Sequence, residues 1–215
     1  KGAKNINREN WFANNKISDL EVNVSGSLQW MKNFTQLKFL NIEFGYYPVN
    51  NIESFEFLEN LEELSLKNFN YQQVFKNLDF LQNSKKIKKF SLEIKKSYDA
   101  TEKLENIDII KDFIDLTDLE INGIHSSLSL DFLLSCKKIK NLTLSFDQAD
   151  NGDTNYFELL RNCSSLETLN IKGIDNYNIK GKVLNINGLN GLPNLKNFSL
   201  NKVNISALDN SIFIN

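Results

Sequence analysis

A chain of 215 residues with 41% apolar residues, 24% charged residues and a formal net charge of −2 has a globular composition, enough for one large domain or two small ones. That near-neutral balance gives no global attraction toward nucleic acid or an acidic membrane surface, and no run of about 18 apolar residues is present to cross a bilayer. Nine Gly and two Pro leave no stretch with the composition of a linker, and two cysteines, Cys136 and Cys163, are too few for a disulfide framework and lack metal-ligand spacing.

The first fifteen residues, KGAKNINRENWFANN, follow no period, and Trp11 and Phe12 are expected to belong to an N-terminal cap or flank. The chain opens on Lys1 rather than Met, consistent with a removed leader or upstream domain. The compartment, cytoplasmic or cell-surface and secreted, therefore stays open. The abundance of Asn, Lys, Ile and Phe reads as codon drift in an AT-rich genome.

From residue 16 onward one six-residue pattern recurs: apolar, two variable, apolar, one variable, apolar. It appears as Ile17/Leu20/Val22, Leu37/Leu40/Ile42, Leu61/Leu64/Leu66 and Ile87/Phe90/Leu92. It continues as Leu116/Leu119/Ile121, Ile139/Leu142/Leu144, Leu166/Leu169/Ile171 and Leu195/Phe198/Leu200. The intervals between the first residues of these eight copies are 20, 24, 26, 29, 23, 27 and 29 (from 17 to 37, from 37 to 61, and so on). The last two apolar residues of each copy are two apart, so on an extended strand they point to one side. Stacked copies then form a parallel sheet with two buried rows.

A second pattern precedes the strands: Trp30-Met31, Phe57-Leu58, Phe80-Leu81, Phe113-Ile114, Phe132-Leu133 and Leu159-Leu160. Its spacing predicts a short helix on the convex side with an apolar stripe toward the sheet. Cys136 and Cys163 each lie three residues before the first apolar position of their copy, where Leu58 sits in the third, and are expected as small buried packing residues.

With periods of roughly 20–29 residues, the chain resembles the leucine-rich-repeat superfamily over residues 16–205. The LLSCKKIKNLTL and LLRNCSSLETLNI copies resemble the cysteine-containing and ribonuclease-inhibitor-like subclasses; FLENLEELSL resembles bacterial internalin-type repeats. The resemblance implies an α/β solenoid: a curved parallel sheet on the concave face, short helices on the convex face, and a single domain. Its parts are a cap or flank over 1–15, eight repeats over 16–205 and a flank over 206–215. The chain departs from the superfamily at the ninth repeat position, where Asn or Cys is usual. Here Ser25, Gly45, Phe69, Lys95, Ile124, Asp147, Ile174 and Val203 stand, and apolar packing of Phe69, Ile124, Ile174 and Val203 is expected to hold the loops instead.

The resemblance also implies a recognition scaffold that binds another protein on the concave strand surface, expected to be monomeric and to need no cofactor or metal. The residues that a strand would present there are Asp19, Glu21, Asn23, Phe39, Asn41, Glu43, Glu63, Ser65, Lys67, Lys89, Ser91 and Glu93. Further along they are Asp118, Glu120, Asn122, Asn141, Thr143, Ser145, Thr168, Asn170, Lys172, Asn197, Ser199 and Asn201. The first half is acidic and carries one aromatic, Phe39, which either anchors a partner or packs on Tyr46 or Tyr47. The last three copies are mostly Asn, Thr and Ser, short side chains that lose little rotamer entropy when ordered. Two alternatives stand beside this reading: the binding segment of a larger effector or enzyme, and a polyanion or glycan binder.

The polyanion alternative rests on Lys85, Lys86, Lys88 and Lys89, on Lys137, Lys138 and Lys140, and on the nearby Lys95 and Lys96. Asp115 and Asp118 interrupt this stripe, no aromatics interleave to stack bases, and nucleic acid is not expected as a partner. Residues 147–158 match a calcium loop at Asp147, Asn151, Gly152 and Glu158, but Ala149 removes a ligand. The Asn-x-Ser/Thr triplets are no more than this Asn content produces. The one histidine, His125, has no partner at a catalytic spacing, so no active site is expected. The closing NISALDNSIFIN reads as a truncated last copy, with Ile205, Leu208 and Phe213 covering the final strand.

Overall fold

The computed structural model describes residues 16–69, 77–94, 104–124, 128–146, 156–173, 183–185, 189, 191–202 and 204–207. Each apolar doublet lies on a strand: β1 Asp19–Ser27, β2 Phe39–Asn50, β3 Glu63–Phe69, β4 Lys89–Ile94, β5 Asp118–Ile124, β6 Asn141–Phe146 and β7 Thr168–Gly173. After β8, Val183–Asn185, the eighth doublet lies on β9, Asn197–Asn201, and β10 spans Asn204–Ala207. Strands β1 to β7 and β9 form one parallel sheet in sequence order. The pairing is in step: Leu20, Leu40, Leu64, Phe90, Leu119, Leu142, Leu169 and Phe198 are successive partners, and so are Val22 through Leu200. From β2 to β7 both rows are buried; at the two ends Leu20, Val22, Phe198 and Leu200 are only half-buried.

One backbone device repeats at the start of each strand. The carbonyl of Lys38 accepts N–H bonds from Glu62 and Glu63 at 2.8 and 2.9 Å, and Ser18, Glu62, Lys88, Thr117, Lys140 and Glu167 do the same for the next repeat. These bonds satisfy two successive backbone N–H groups where the chain turns into the sheet. The residue before each strand's first buried position by three (Leu37, Leu61, Ile87, Leu116, Ile139, Leu166) is buried, whereas Ile17, at the exposed start, is 37% accessible.

The returning segments are mostly 3₁₀ turns: Gln29–Asn33, Ile52–Phe57, Asp79–Leu81, Ile107–Asp112 and Asp131–Ser135. Among the described residues only Tyr156–Leu159 is α-helical. Spacing explains the preference, since strands repeat every ~4.8 Å whereas an α-helix is about 10 Å across. Narrow 3₁₀ turns keep the back of the stack close to the sheet's own repeat. Two of the expected helix doublets are corrected. In the third and fifth copies only one member of each doublet is buried, Leu58 and Phe113, while Phe57 and Ile114 are 53% and 68% exposed; Phe55, Ile109 and Ile110 supply the further inward side chains of those turns.

The missing ninth-position Asn is replaced by a third apolar row, in a register that differs from the expected one. Val24, Phe44, Phe69, Ile94, Ile124 and Phe146 are all buried, and Val24 pairs with Phe44, Phe69 with Ile94 and Ile124 with Phe146. Two strands reach this row one residue late because each carries a bulge, with Asn68 (φ 55°) and Gly123 (φ 85°) in the left-handed region. Ser25 and Gly45 are therefore not in the row; Lys95, Asp147, Ile174 and Val203 lie outside the described residues.

Asparagines brace the returning turns. The side-chain amide of Asn60 donates to the Thr35 carbonyl (2.9 Å), Asn83 to Glu56 (3.2 Å), Asn162 to Leu134 (3.0 Å) and Asn194 to Ser164 (2.7 Å), each one repeat back. Just behind them runs a buried file of Phe34, Leu58, Ser84, Phe113, Cys136, Cys163 and Leu192. The closing segment differs from a plain further copy: β10 pairs with β8 in a separate two-stranded parallel sheet.

Candidate binding surface on the open face of the sheet

Alternation along each strand sends the partners of the buried residues to the opposite face, where three columns of side chains run across the sheet. The first column contains Asp19, Phe39, Glu63, Lys89, Asp118, Asn141, Thr168 and Asn197, successive partners in the pairing. The second contains Glu21, Asn41, Ser65, Ser91, Glu120, Thr143, Asn170 and Ser199 in the same order. Together, over the first six strands, they line a groove of 710 Å³ that contains Asp19, Glu21, Phe39, Asn41, Glu63, Ser65, Lys89, Asp118, Glu120, Asn141 and Thr143. Ser91 lines it as well.

Glu43, Lys67 and Glu93 stand in the third column, beyond the groove; Thr168, Asn170, Asn197 and Ser199 extend the first two columns past its far end. Ser145, expected on the open face, is buried.

On the first five strands the three columns hold seven carboxylates (Asp19, Glu21, Glu43, Glu63, Glu93, Asp118 and Glu120) against two lysines, Lys67 and Lys89. The acidic character therefore belongs to the face itself, since the whole chain carries only −2. Lys89 bonds Glu63 at 2.7 Å, and its ammonium is held protonated above the ordinary lysine value by that carboxylate, with Asp118 assisting. Lys172 on β7 approaches Glu120 on β5 to 3.9 Å, crossing an intervening strand, a contact that sequence spacing does not announce. Neutral donors complete the network: Asn41 to Glu21 (3.0 Å), Asn68 to Glu43 (2.8 Å), Asn141 to Asp118 (2.7 Å), and Asn170 to the Thr143 hydroxyl (3.3 Å).

No protein-family profile matches the sequence, and no curated protein shows significant sequence similarity to it. Similarity lies in the fold. Internalin C2 from Listeria monocytogenes superposes with a TM-score of 0.58 at 16% identity, over 89% of this chain and 75% of that one. A second internalin of the same organism, inlF, gives 0.59 at 17% identity, over 90% of this chain and 50% of that one. The plant peptide hormone receptor RGFR1, solved in complex with RGF2, gives 0.51 at 14% identity, over 86% and 29%. The fold is a leucine-rich-repeat solenoid. This chain spans half the length of the second internalin and under a third of the plant receptor.

Within this solenoid the lysine stripe is broken up by its own repeats. At the position just before the strand, Lys38, Glu62, Lys88, Lys140, Glu167 and Lys196 place opposite charges side by side. Glu62 bridges Lys88 (2.7 Å) and Lys38 (3.1 Å), and Lys196 pairs with Glu167 at 2.7 Å. Lys138 pairs with Asp115 at 2.6 Å, and Lys86 donates to the Asn60 amide oxygen. Hydrogen bonds from Lys88 and then Lys38 lower the Glu62 carboxyl below its usual range. Among the described residues no three His, Cys, Asp or Glu groups are disposed to hold a metal ion. No described helix is long and apolar enough to cross a membrane.

Both cysteines of the solenoid are free and buried. Burial, with the neighbouring Cys163, pushes the Cys136 thiol up to about 12, and burial pushes Cys163 up to about 11. Their sulfurs donate to the Phe132 and Leu133 carbonyls at 3.4 and 3.5 Å, so both act as packing residues with a weak bond. Trp11, Phe12, His125, residues 147–155 of the calcium-like loop, Leu208 and Phe213 lie outside the described residues.

Proposed function

We propose that this solenoid is a protein-recognition module that takes its partner on the open face of the sheet. One observation carries the reading: a groove of 710 Å³ across six strands is lined by outward-facing polar side chains and Phe39, over a floor that includes Leu20, Leu40, Leu64, Phe90 and Leu119. The residues lining it come from rigid strands tied into a common register, which presents recognition groups at little ordering cost. Among the solved relatives of the fold, the plant receptor was solved in complex with RGF2. Binding rather than catalysis fits the setting of the paired carboxylates. Asp118 and Glu120 stand half-exposed in an open groove, without the burial that tunes a general acid.

The test is a set of outward substitutions: Phe39→Arg, Glu63→Lys, Asn141→Arg and Asn170→Arg, combined in one chain. The variant is expected to keep the far-ultraviolet circular dichroism and melting profile of the parent while losing every partner that the parent retains in affinity capture. A partner held equally well by both chains would place recognition elsewhere.

A further inference from the structure

The register puts Phe39 between two carboxylates. Asp19 on β1 and Glu63 on β3 are its direct partners in the pairing, and Glu21 follows in the next column. All four line the groove. Neighbouring strands lie about 4.8 Å apart, so each flank of the ring has an acidic group within a side chain's reach.

These carboxylates differ in what they already hold. Glu63 is occupied by Lys89 at 2.7 Å. Asp19 is met by the neighbouring Ser18 hydroxyl and Glu21 by the Asn41 amide at 3.0 Å, both neutral donors. Neither forms an ion pair among the described residues. Phe39 is half-buried and makes no ring-to-ring contact among the described residues, so it is not packed against Tyr47, which is 74% exposed.

We propose that Phe39, Asp19 and Glu21 receive an arginine side chain of the protein partner, the guanidinium lying on the ring and its N–H edge turned to the two carboxylates. The inference rests on the open-face reading and names the chemistry of the occupant. A guanidinium is planar and weakly hydrated, stacks on an aromatic face and donates in its own plane to carboxylates. An ammonium is a compact, strongly hydrated point charge that would use the carboxylates but gain less from the ring. The chain's own lysines already show that this face accepts cations, Lys89 on Glu63 and Lys172 toward Glu120. Among the described residues no cation pairs with Asp19 or Glu21 at the β1–β2 end.

The experiment selects binders from a phage-displayed random dodecapeptide library on the full chain, then measures synthetic copies at about 0.15 M salt. The expected binders contain an arginine whose replacement by citrulline weakens binding about tenfold, and whose replacement by lysine recovers only part of that loss. Phe39→Leu and the Asp19→Asn/Glu21→Gln pair should reproduce the citrulline loss, whereas Glu59→Gln/Asp108→Asn, which removes two exposed acids from the returning segments, should not. Circular dichroism checks that each variant is folded. Titration with N-acetyl-arginine amide, followed by NMR at the Phe39 ring protons, should shift them, and N-acetyl-citrulline amide should not. Binders that are lost on Asn141→Arg/Asn170→Arg but indifferent to citrulline would overturn the arginine inference while leaving the open-face reading standing. Binders indifferent to every substitution on the face, or no binders together with an unmoved Phe39 ring, would overturn both.

Discussion

Phe44 and Phe69 meet edge to face in neighbouring repeats, their ring centroids 5.7 Å apart and their planes at 77°. Phe69 stands at the ninth repeat position and Phe44 one residue before it, so aromatic packing holds the chain where it leaves these strands. Phe69 is fully buried, with Phe80 at 6.5 Å as a second ring neighbour. A buried Phe truncated to Ala costs about 3–5 kcal/mol through lost transfer energy and the cavity left behind. Phe69→Ala is therefore expected to destabilise by about that amount, and Phe69→Leu by considerably less. Chemical denaturation measures both. A loss under about 1 kcal/mol for the alanine would mean that the third row is not structural.

Glu62 supplies a pH-dependent contribution whose sign follows from its two lysines. Its carboxyl is lowered from 4.5 by Lys88 and Lys38, so the folded state holds the anion. That stabilisation is present above the unfolded value and is lost as pH falls through the folded one. Lys88 is raised from 10.5 by the same contact, so its share is present below that value and fades as pH climbs through the raised one. Parent and Glu62→Gln should differ in melting temperature by a small, constant gap at neutral pH that closes once the carboxylate is protonated. About 1 M NaCl should shrink the same gap, because these groups are exposed and screened. A gap that persists unchanged at pH 3 would assign the effect to packing of the Glu62 stem.

The buried doublets were legible because a period of two allows only one orientation: Leu64 and Leu66 face inward together or not at all. The outward columns followed from the same alternation, which is how Phe39, Glu63 and Asn141 could be placed on one face from spacing. Counting failed where the backbone departs from even steps. The bulges at Asn68 and Gly123 shift Phe69 and Ile124 by one residue, so the third row had to include Val24, Phe44, Ile94 and Phe146, one position earlier than expected. Asn-Gly at 122–123 is the one sequence signal that could have revealed this. Phe57 and Ile114 misled for a related reason, since two adjacent apolar residues do not say which of them a 3₁₀ turn points inward. The reach of Lys172 across β6 to Glu120 depends on side-chain length, and spacing along the chain contains no trace of it.

Three glycines separate backbone strain from steric exclusion. Gly123 has φ +85°, and a Cβ there would lie 2.2 Å from the Ile94 carbonyl oxygen of the neighbouring repeat. Gly26 has φ +84° with nothing within 4 Å, and Gly191 has open space and no such dihedral. A left-handed conformation costs an alanine about 1–2 kcal/mol. Gly26→Ala should show about that loss alone. Gly123→Ala should exceed it, since the backbone of the preceding repeat must move, and Gly191→Ala should be close to neutral. Denaturant midpoints for the three variants test the ranking. Equal losses at Gly26 and Gly123 would show that the stack yields freely at the bulge.

The two cysteines should be chemically silent until the solenoid opens. At pH 8 a thiol whose value is about 11 is ionised in about one molecule per thousand, and one at about 12 in fewer still. Only the thiolate attacks, and an unfolded cysteine with the ordinary value of 9.0 is ionised in about a tenth of molecules at the same pH. Burial adds a second barrier, because a reagent must also reach sulfurs that lie behind the Asn162 brace and against the Phe132 and Leu133 carbonyls. Alkylation of the native chain should therefore be slow and should rise with denaturant in step with unfolding, reaching two thiols per chain. Linkage gives the matching stability trend: the folded state holds both protons more tightly, so the cysteine contribution is unchanged below the ordinary value of 9.0 and stability falls as pH rises beyond it. Rapid labelling of one cysteine in the native chain at pH 8 would show that its file opens locally, and would remove that residue from the packed interior.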